Sequence, residues 1–244
     1  MNFLIGDYDG DEDPDIAWSN RHTGEIHLWT MDGPSLSTSR TMPGVGRDWR
    51  LGIGLNSTTK HRARANDFDG DGLSDFVWQD IVTGERGYAQ LPGSETGSEW
   101  TTIDYIPAEW DIAVVGDFDA NLTNDVLWQN RKTENRDTGQ RVIWLMEHTQ
   151  PSGRSIDLPD LPAVWEITGV DDFNGDIHPD VLWRNTETGQ LVLWIMEYGA
   201  YASSVDYGGI SLEWSVSQVG DFDGDNDTDI AWSHESSGDV HVWW

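Results

Sequence analysis

Five stretches of the sequence place oxygen-bearing side chains at positions 1, 3, 5 and 9 of a short loop, a spacing that lets the loop fold around a hard cation. They are Asp7, Asp9, Asp11 and Asp15; Asp67, Asp69, Asp71 and Asp75; Asp117, Asp119, Asn121 and Asp125; Asp172, Asn174, Asp176 and Asp180; and Asp221, Asp223, Asp225 and Asp229. Position 7 varies freely as Asp13, Leu73, Thr123, His178 and Asp227, as a ligand supplied by the main-chain carbonyl allows. Calcium takes roughly six to eight oxygens in flexible geometry, so one calcium ion per loop is expected, up to five in all. Magnesium fits less well, because it keeps several waters in a strict octahedron. Isolated Asp-Gly turns with solvated carboxylates need Asp at neither position 3 nor position 9, and five copies of one pattern argue against that reading.

An EF-hand shares the first three ligands but closes its shell with a bidentate Glu at position 12 between two helices. Position 12 here is Trp in every copy: Trp18, Trp78, Trp128, Trp183 and Trp232. The position 9 Asp is therefore expected to close the shell. The loops with an Asn, the third and fourth, carry less ligand charge and are expected to bind more weakly.

The elements that must hold these loops follow from the repeat. The loops begin 60, 50, 55 and 49 residues apart, and a turn glycine follows at a fixed distance in four copies, Gly24, Gly84, Gly189 and Gly238, with Gly139 displaced by five residues in the third. A second Trp recurs on the next strand at Trp29, Trp144, Trp194 and Trp243, with Ala89 in its place in copy two. A third set, Trp49, Trp110, Trp165 and Trp214, opens the strand leading into each following loop, and copy two carries an insertion around Asn56 to Arg62. The segment between loop and Trp is apolar at successive positions, as in Val126-Leu127-Trp128 and Val181-Leu182-Trp183. Side chains alternate sides along a strand, so both faces of that strand must be buried. Sheets stacked face to face between two neighbours meet that demand.

The expected fold is all-β: a β-propeller of five four-stranded blades, the last lacking its outer strand, forming one domain over residues 1–244. Five-blade closure is the leading expectation, with six to eight blades in a longer parent chain as the alternative. The last sheet is expected to span Trp214–Val219, Asp229–Ser233 and Asp239–Trp244, leaving an apolar edge on which the chain could self-associate.

Composition narrows the partners. A formal charge of −30, from 44 acidic against 14 basic residues, repels polyanions and argues against nucleic acid. Half of those acidic residues, 22, fall within the five aligned segments, so the excess concentrates where a cation would sit. No run of apolar residues is long enough to insert in a membrane. The absence of Cys removes disulfides and thiolate chemistry. The sequence enters its first repeat at once, without a signal peptide.

The pattern Gly-Asp-Phe-Asp-Gly-Asp-x-x-x-Asp-Ile-x-Trp followed by Ser-Gly or Thr-Gly, seen most fully from Gly220, resembles the FG-GAP/VCBS repeat family. That resemblance implies a β-propeller with calcium in the loop between the first two strands of a blade, and an extracellular, secreted setting. Copy three departs from it, with Ala120 for Gly and Asn121 for Asp. The family includes adhesion modules, lectins, polysaccharide lyases and spacers. The surplus of 15 Trp favours a carbohydrate-binding, lectin-like module for a glycan or a cell-surface or matrix protein, with Trp49, Trp100, Trp110, Trp165 and Trp214 as candidate sugar platforms. The alternatives are a structural or assembly unit of a larger secreted protein and a polysaccharide lyase. A lyase would need a base beside the metal, and none of the seven His recurs at one blade position or pairs with an acid in a recognisable motif.

Overall fold

The computed structural model describes residues 2–20, 22–23, 25–42, 49–51, 67–68, 71–80, 82–89, 100–102, 109–130, 139–147, 150–225 and 227–244. The insertion expected near residues 56–62 lies outside them. Every regular element among the described residues is a strand, and every strand pairing is antiparallel between chain neighbours.

Four sheets are complete four-stranded meanders. Blade one runs Asn2–Gly6, Asp15–Ser19, Ile26–Asp32 and Ser35–Met42; blade two runs Trp49–Leu51, Phe76–Asp80, Arg86–Ala89 and Trp100–Thr102. Blade three comprises Trp110–Gly116, Asp125–Asn130, Gly139–Glu147 and Gln150–Leu161, and blade four Trp165–Asp171, Asp180–Asn185, Gln190–Glu197 and Ala200–Gly209. The fifth sheet has three strands, Trp214–Gly220, Asp229–His234 and Val240–Trp243. The expectation of five blades therefore resolves into four full blades and one three-stranded sheet. The sheets stack as in a β-propeller, because no single sheet carries a core of its own.

The second strands show why. Phe76–Asp80 is buried at every residue, as is Asp180–Asn185, and the second strands of blade three and the fifth sheet are buried over their first four residues. Each apolar cluster then joins two neighbouring sheets. Phe68 and Val77 of blade two pack with Val115, Val126, Trp128 and Met146 of blade three. Phe118, Ile143 and Leu145 of blade three meet Val170, Val181 and Trp183 of blade four. Leu182, Leu191 and Leu193 of blade four meet Val219, Ile230 and Trp232 of the fifth sheet.

The turn glycines behave as their spacing implies. Gly84, Gly189 and Gly238 have φ of 75°, 72° and 73°, a left-handed conformation costly for residues with a Cβ. At Gly189 a Cβ would also lie 1.9 Å from the Ile210 carbonyl oxygen. The displaced Gly139 is needed for space rather than for φ, since a Cβ there would come within 2.8 Å of the Leu161 carbonyl oxygen.

The Trp residues divide differently from the expectation. Trp78, Trp128, Trp183 and Trp232 are fully buried. Trp194 is buried too, whereas Trp29 and Trp243, at the same place in the repeat, stand exposed. The first strands do begin at Trp49, Trp110, Trp165 and Trp214.

Candidate functional site

Each acidic loop links the first and second strands of its sheet, and its carboxylates are first of all the loop's own scaffold. The position 5 oxygen accepts the position 7 N–H in all five copies: Asp13 to Asp11 at 2.9 Å, Leu73 to Asp71 at 2.8 Å, Thr123 to Asn121 at 2.7 Å, His178 to Asp176 at 2.8 Å and Asp227 to Asp225 at 2.9 Å. This is an Asx turn, a bond that Ser and Thr hydroxyls make only more weakly. The position 1 carboxylate accepts the position 6 N–H of Glu12, Gly72, Leu122 and Ile177 at 2.9 to 3.1 Å. To present that N–H, position 6 turns left-handed, with φ of 71°, 89°, 73° and 72° respectively.

Position 9 does more than sequence reasoning gave it. In blades one, three and four one oxygen accepts the position 2 N–H and the other accepts a Met N–H on the third strand. Asp15 takes Tyr8 and Met31, both at 2.8 Å; Asp125 takes Phe118 and Met146, both at 2.8 Å; Asp180 takes Phe173 at 3.0 Å and Met196 at 2.8 Å. The position 2 bond recurs from Phe68 to Asp75 at 2.8 Å and from Phe222 to Asp229 at 2.7 Å. These Asp side chains are almost wholly buried, so the carboxylate ties the loop to the sheet behind it.

On this scaffold charge converges. Carboxylate oxygens of Asp7, Asp9 and Asp15 all lie within 4.8 Å of one another, as do those of Asp117, Asp119 and Asp125, and of Asp221, Asp223 and Asp225. Burial, above all, pushes the Asp15 carboxyl up to about 6, with the Asp9 and Asp11 charges adding to it against two N–H donors. Burial likewise raises Asp125 to about 7, helped by Asp119 and Asp117, and raises Asp117. Three carboxylates so close, with the buried Asp15 and Asp125 holding their protons for want of a counter-charge, are a fitting donor set for a hard divalent cation.

The other two loops differ. Asp69 lies outside the described residues, and Asp67, Asp71 and Asp75 accept the N–H groups of Gly72, Leu73 and Phe68 at 3.0, 2.8 and 2.8 Å respectively. In loop four Asn174 donates from Nδ2 to Asp176 Oδ2 at 3.0 Å, so an amide sits among the carboxylates. In loop three the Asn121 amide turns out to the Met146 carbonyl at 3.2 Å, and Arg154 approaches Asp119 at 3.9 Å. The two Asn loops therefore differ from each other: loop three still brings the carboxylates of Asp117, Asp119 and Asp125 together, against the expectation of a depleted site, whereas in loop four the Asn amide bonds a carboxylate.

Three neighbour contacts had no place in the sequence reading. The aromatic at position 2 packs forward onto the next sheet, as Tyr8 stacks on Phe76 with ring centroids 5.0 Å apart. Position 8 reaches back to the position 1 carbonyl of the preceding loop: Ser74 N–H to Asp7 at 2.8 Å, Asn124 Nδ2 to Asp67 at 2.9 Å and Thr228 Oγ1 to Asp172 at 2.6 Å. Buried arginines cover the next sheet's position 12 Trp, Arg86 over Trp128, Arg141 over Trp183 and Arg184 over Trp232, at 5.1, 4.5 and 5.3 Å from the ring centres. The Gly-x-Arg at Gly84 and Gly139 was the available signal for two of them.

Of the candidate sugar platforms, Trp110, Trp165 and Trp214 are half-buried and rest on the apolar clusters between sheets. Trp214 is met edge-on by His234 and His241. Trp49 and Trp100 open the strands Trp49–Leu51 and Trp100–Thr102.

Residues 7–78 match the family described as FG-GAP-like repeat, so the chain carries at least one repeat of that kind. No curated protein matches the sequence. Among solved structures, a chain of the Photorhabdus luminescens Tc holotoxin pore is similar over 96% of this chain at 13% identity with a TM-score of 0.54, and the aligned part is 11% of that chain's length. At that identity the likeness concerns fold alone. A chain of a nidogen/laminin complex aligns over 98% of this chain and 88% of its own at 12% identity, with a TM-score of 0.38. FG-GAP propeller modules are in general binding or structural domains. No helix among the described residues is long and apolar enough to cross a membrane.

Proposed function

We propose that this FG-GAP repeat-bearing propeller is a calcium-stabilised, extracellular binding module, with the three-stranded sheet serving as its fifth blade. The observation that carries the reading is the convergence of three carboxylates in loops one, three and five on a scaffold made by the loop's own N–H groups. Asp7, Asp9 and Asp15 would hold the ion in loop one, Asp117, Asp119 and Asp125 in loop three, and Asp221, Asp223 and Asp225 in loop five. Bound there, calcium supplies charge neutralisation and pins the loop; the residues do no chemistry on it. The position 7 carbonyls of Asp13, Leu73, Thr123, His178 and Asp227 complete the donor set. Extracellular calcium levels suit sites of modest affinity.

The ligand of the module is a glycan, taken on Trp110, Trp165 and Trp214, which stand half-exposed where the first strands of blades three and four and of the fifth sheet begin. A stacked sugar face needs a flat aromatic edge held in place, and packing of Trp110, Trp165 and Trp214 against the inter-sheet clusters holds them. The module is not an enzyme in this reading: the carboxylates that gather, Asp119 excepted, accept backbone N–H groups. Calorimetric titration of EDTA-treated protein with calcium tests the metal reading, and the absence of any binding heat or change in melting would overturn it. A glycan array probed in calcium tests the ligand. No sugar retained by the wild type, or undiminished retention by Trp214→Ala, would overturn that part alone.

A further inference from the structure

The sequence joins Asn to Gly once, at Asn174-Gly175, and it does so at position 3 of loop four. Position 3 is a carboxylate in the other four copies, Asp9, Asp69, Asp119 and Asp223. Loop four thus holds an amide in the place of an acid, next to the residue type that most readily lets such an amide be lost. An Asn side chain is attacked at Cγ by the main-chain nitrogen of the following residue, and a following side chain obstructs that approach. Gly175 has none, and nothing lies within 4 Å of where its Cβ would stand. Residues 174–177 are all exposed, so water has access.

The loop also sets the reacting groups in place. Asn174 Oδ1 accepts the Asp176 N–H at 2.9 Å, which closes an Asx turn over the Gly175 amide and bends Cγ toward the nitrogen that must attack it. The same N–H lies where negative charge develops on Oδ1 as the nitrogen adds. The Gly175 N–H donates to Asp172 Oδ1 at 2.8 Å, a carboxylate placed to take its proton. The departing Nδ2 faces Asp176 Oδ2 at 3.0 Å. Three other Asn residues form such a turn, Asn20, Asn121 and Asn185, accepting the N–H of His22, Thr123 and Glu187 at 2.9, 2.7 and 2.9 Å. They are followed by Arg21, Leu122 and Thr186, whose side chains crowd the nitrogen. Of the four, Asn174 alone combines the turn with a glycine.

We propose that Asn174 is a self-modification site: in the folded chain it deamidates to aspartate, and loop four gains the carboxylate that the other loops carry at position 3. The Gly175 nitrogen gives its proton to Asp172 and bonds Asn174 Cγ. The Cγ–Nδ2 bond breaks, and Nδ2 leaves as ammonia with that proton returned to it. Water then adds to Cγ of the succinimide, and the bond from Cγ to the Gly175 nitrogen breaks as the nitrogen recovers a proton. The sum is one amide and one water consumed, one carboxylate and one ammonium formed. Opening at the main-chain carbonyl instead would give isoaspartate and lengthen the backbone. Asp172 opposes that route, because its carboxylate also holds the N–H groups of Asn174, Asp176 and Ile177, at 3.3, 3.1 and 2.9 Å, and so fixes the course of the main chain. The conversion adds one negative charge to the formal −30 and needs no metal. The gain in cation binding that follows from it rests on the calcium reading.

The test is mass spectrometry of the full chain aged in EDTA at neutral pH and digested at intervals. The peptide holding residue 174 should gain about one mass unit, placed at Asn174 by fragmentation. Aspartate should outweigh isoaspartate, which an isoaspartyl methyltransferase labels. Peptides holding Asn121 and Asn185 should stay unchanged over the same period, and Gly175→Ala should slow the conversion by about tenfold or more. In urea, where the loop is gone, isoaspartate should become the main product. Asn174 left unaltered in the folded chain while the urea-unfolded chain reacts, isoaspartate as the main product of the folded chain, or equal conversion at Asn121 or Asn185 would each overturn the inference. Aged protein separated by charge should bind calcium with the affinity of Asn174→Asp. Conversion without that gain would count against the calcium reading of loop four and leave the modification standing.

Discussion

Loops one and four share a scaffold and differ in charge. In both, position 1 accepts the position 6 N–H, position 5 accepts the position 7 N–H, and position 9 ties position 2 to a Met on the third strand. In loop one Asp9 brings a third negative charge to within 4.8 Å of Asp7 and Asp15. In loop four Asn174 brings an amide that hydrogen-bonds Asp176 instead. The comparison separates two jobs that the acidic motif hides under one pattern. Positions 1, 5 and 9 build the turn with or without a cation, and position 3 sets how much charge is left for one.

The largest effect should come from the shared part. Asp180→Ala leaves the Phe173 and Met196 N–H groups without their acceptor in a buried setting, a loss of about 3 kcal/mol or more. Asp15→Ala should cost the same even in EDTA, since its two N–H bonds do not involve metal. Urea denaturation of both variants measures it. If Asp15→Ala is harmless in EDTA, position 9 is a metal ligand and little else, and the division of labour collapses.

Calcium itself should come next, and unequally. Saturation at about a hundred times the dissociation constant adds roughly 2.7 kcal/mol per site, so wild-type melting should rise on calcium addition, and more through loop one than through loop four. The pH dependence gives the sign. Asp15 and Asp125, raised to about 6 and about 7, hold their protons more tightly folded than unfolded. Their contribution to metal-free stability is therefore fully present below pH ~4 and is lost as pH rises through 6 to 7. Melting in EDTA should fall over that window, and Asp125→Asn should flatten the fall. In calcium the order should reverse, because the ion takes the place of the protons. Calorimetric scans at pH 5 and pH 8, with and without calcium, show whether the two curves cross.

A subtler exchange tests position 3. Asn174→Asp turns loop four into loop one and should tighten calcium binding there, while Asp9→Asn should weaken loop one, each by about tenfold, or roughly 1.4 kcal/mol. Titration calorimetry on the two variants reads the change. Equal affinities for wild type and both variants would show that position 3 does not discriminate the loops.

Much of this architecture was legible in the residues. The five-fold spacing placed the loops, and the apolar triplets ending in Trp128, Trp183 and Trp232 placed strands buried on both faces. The Trp at position 12 removed the helical alternative, and no helix appears among the described residues. What the sequence hid were partnerships between sheets, because they join residues about fifty positions apart by a single side chain whose type varies. Ser74, Asn124 and Thr228 do one job with three chemistries, and at Ser74 the donor is the backbone itself. The exposure of Trp29 and Trp243 was likewise hidden: a strand residue's environment depends on which face its neighbour covers, and a recurring Trp does not record that.

Position 6 shows the same limit on a smaller scale. Among the described loops only loop two has glycine there, Gly72, yet the backbone turns left-handed in the others all the same, with Leu122 and Ile177 at φ of 73° and 72° and both largely exposed. The position 1 carboxylate compels it, since only that conformation presents the N–H to Asp117 and Asp172. Position 4 adds a second instance: Gly10, Gly175 and Gly224 sit at φ of 87°, 76° and 85°, and Ala120 at 58°. An L-residue in that region costs about 1–2 kcal/mol, partly offset by the freedom a glycine adds to the unfolded chain. Ala120→Gly and Leu122→Gly should therefore each stabilise the protein by about 1 kcal/mol, with or without calcium, while Gly175→Ala should destabilise loop four by as much. Thermal melting of the three variants in EDTA checks it. A loss of stability in Ala120→Gly would mean that loop three holds its turn for reasons other than the hydrogen bonds that Asp117 accepts.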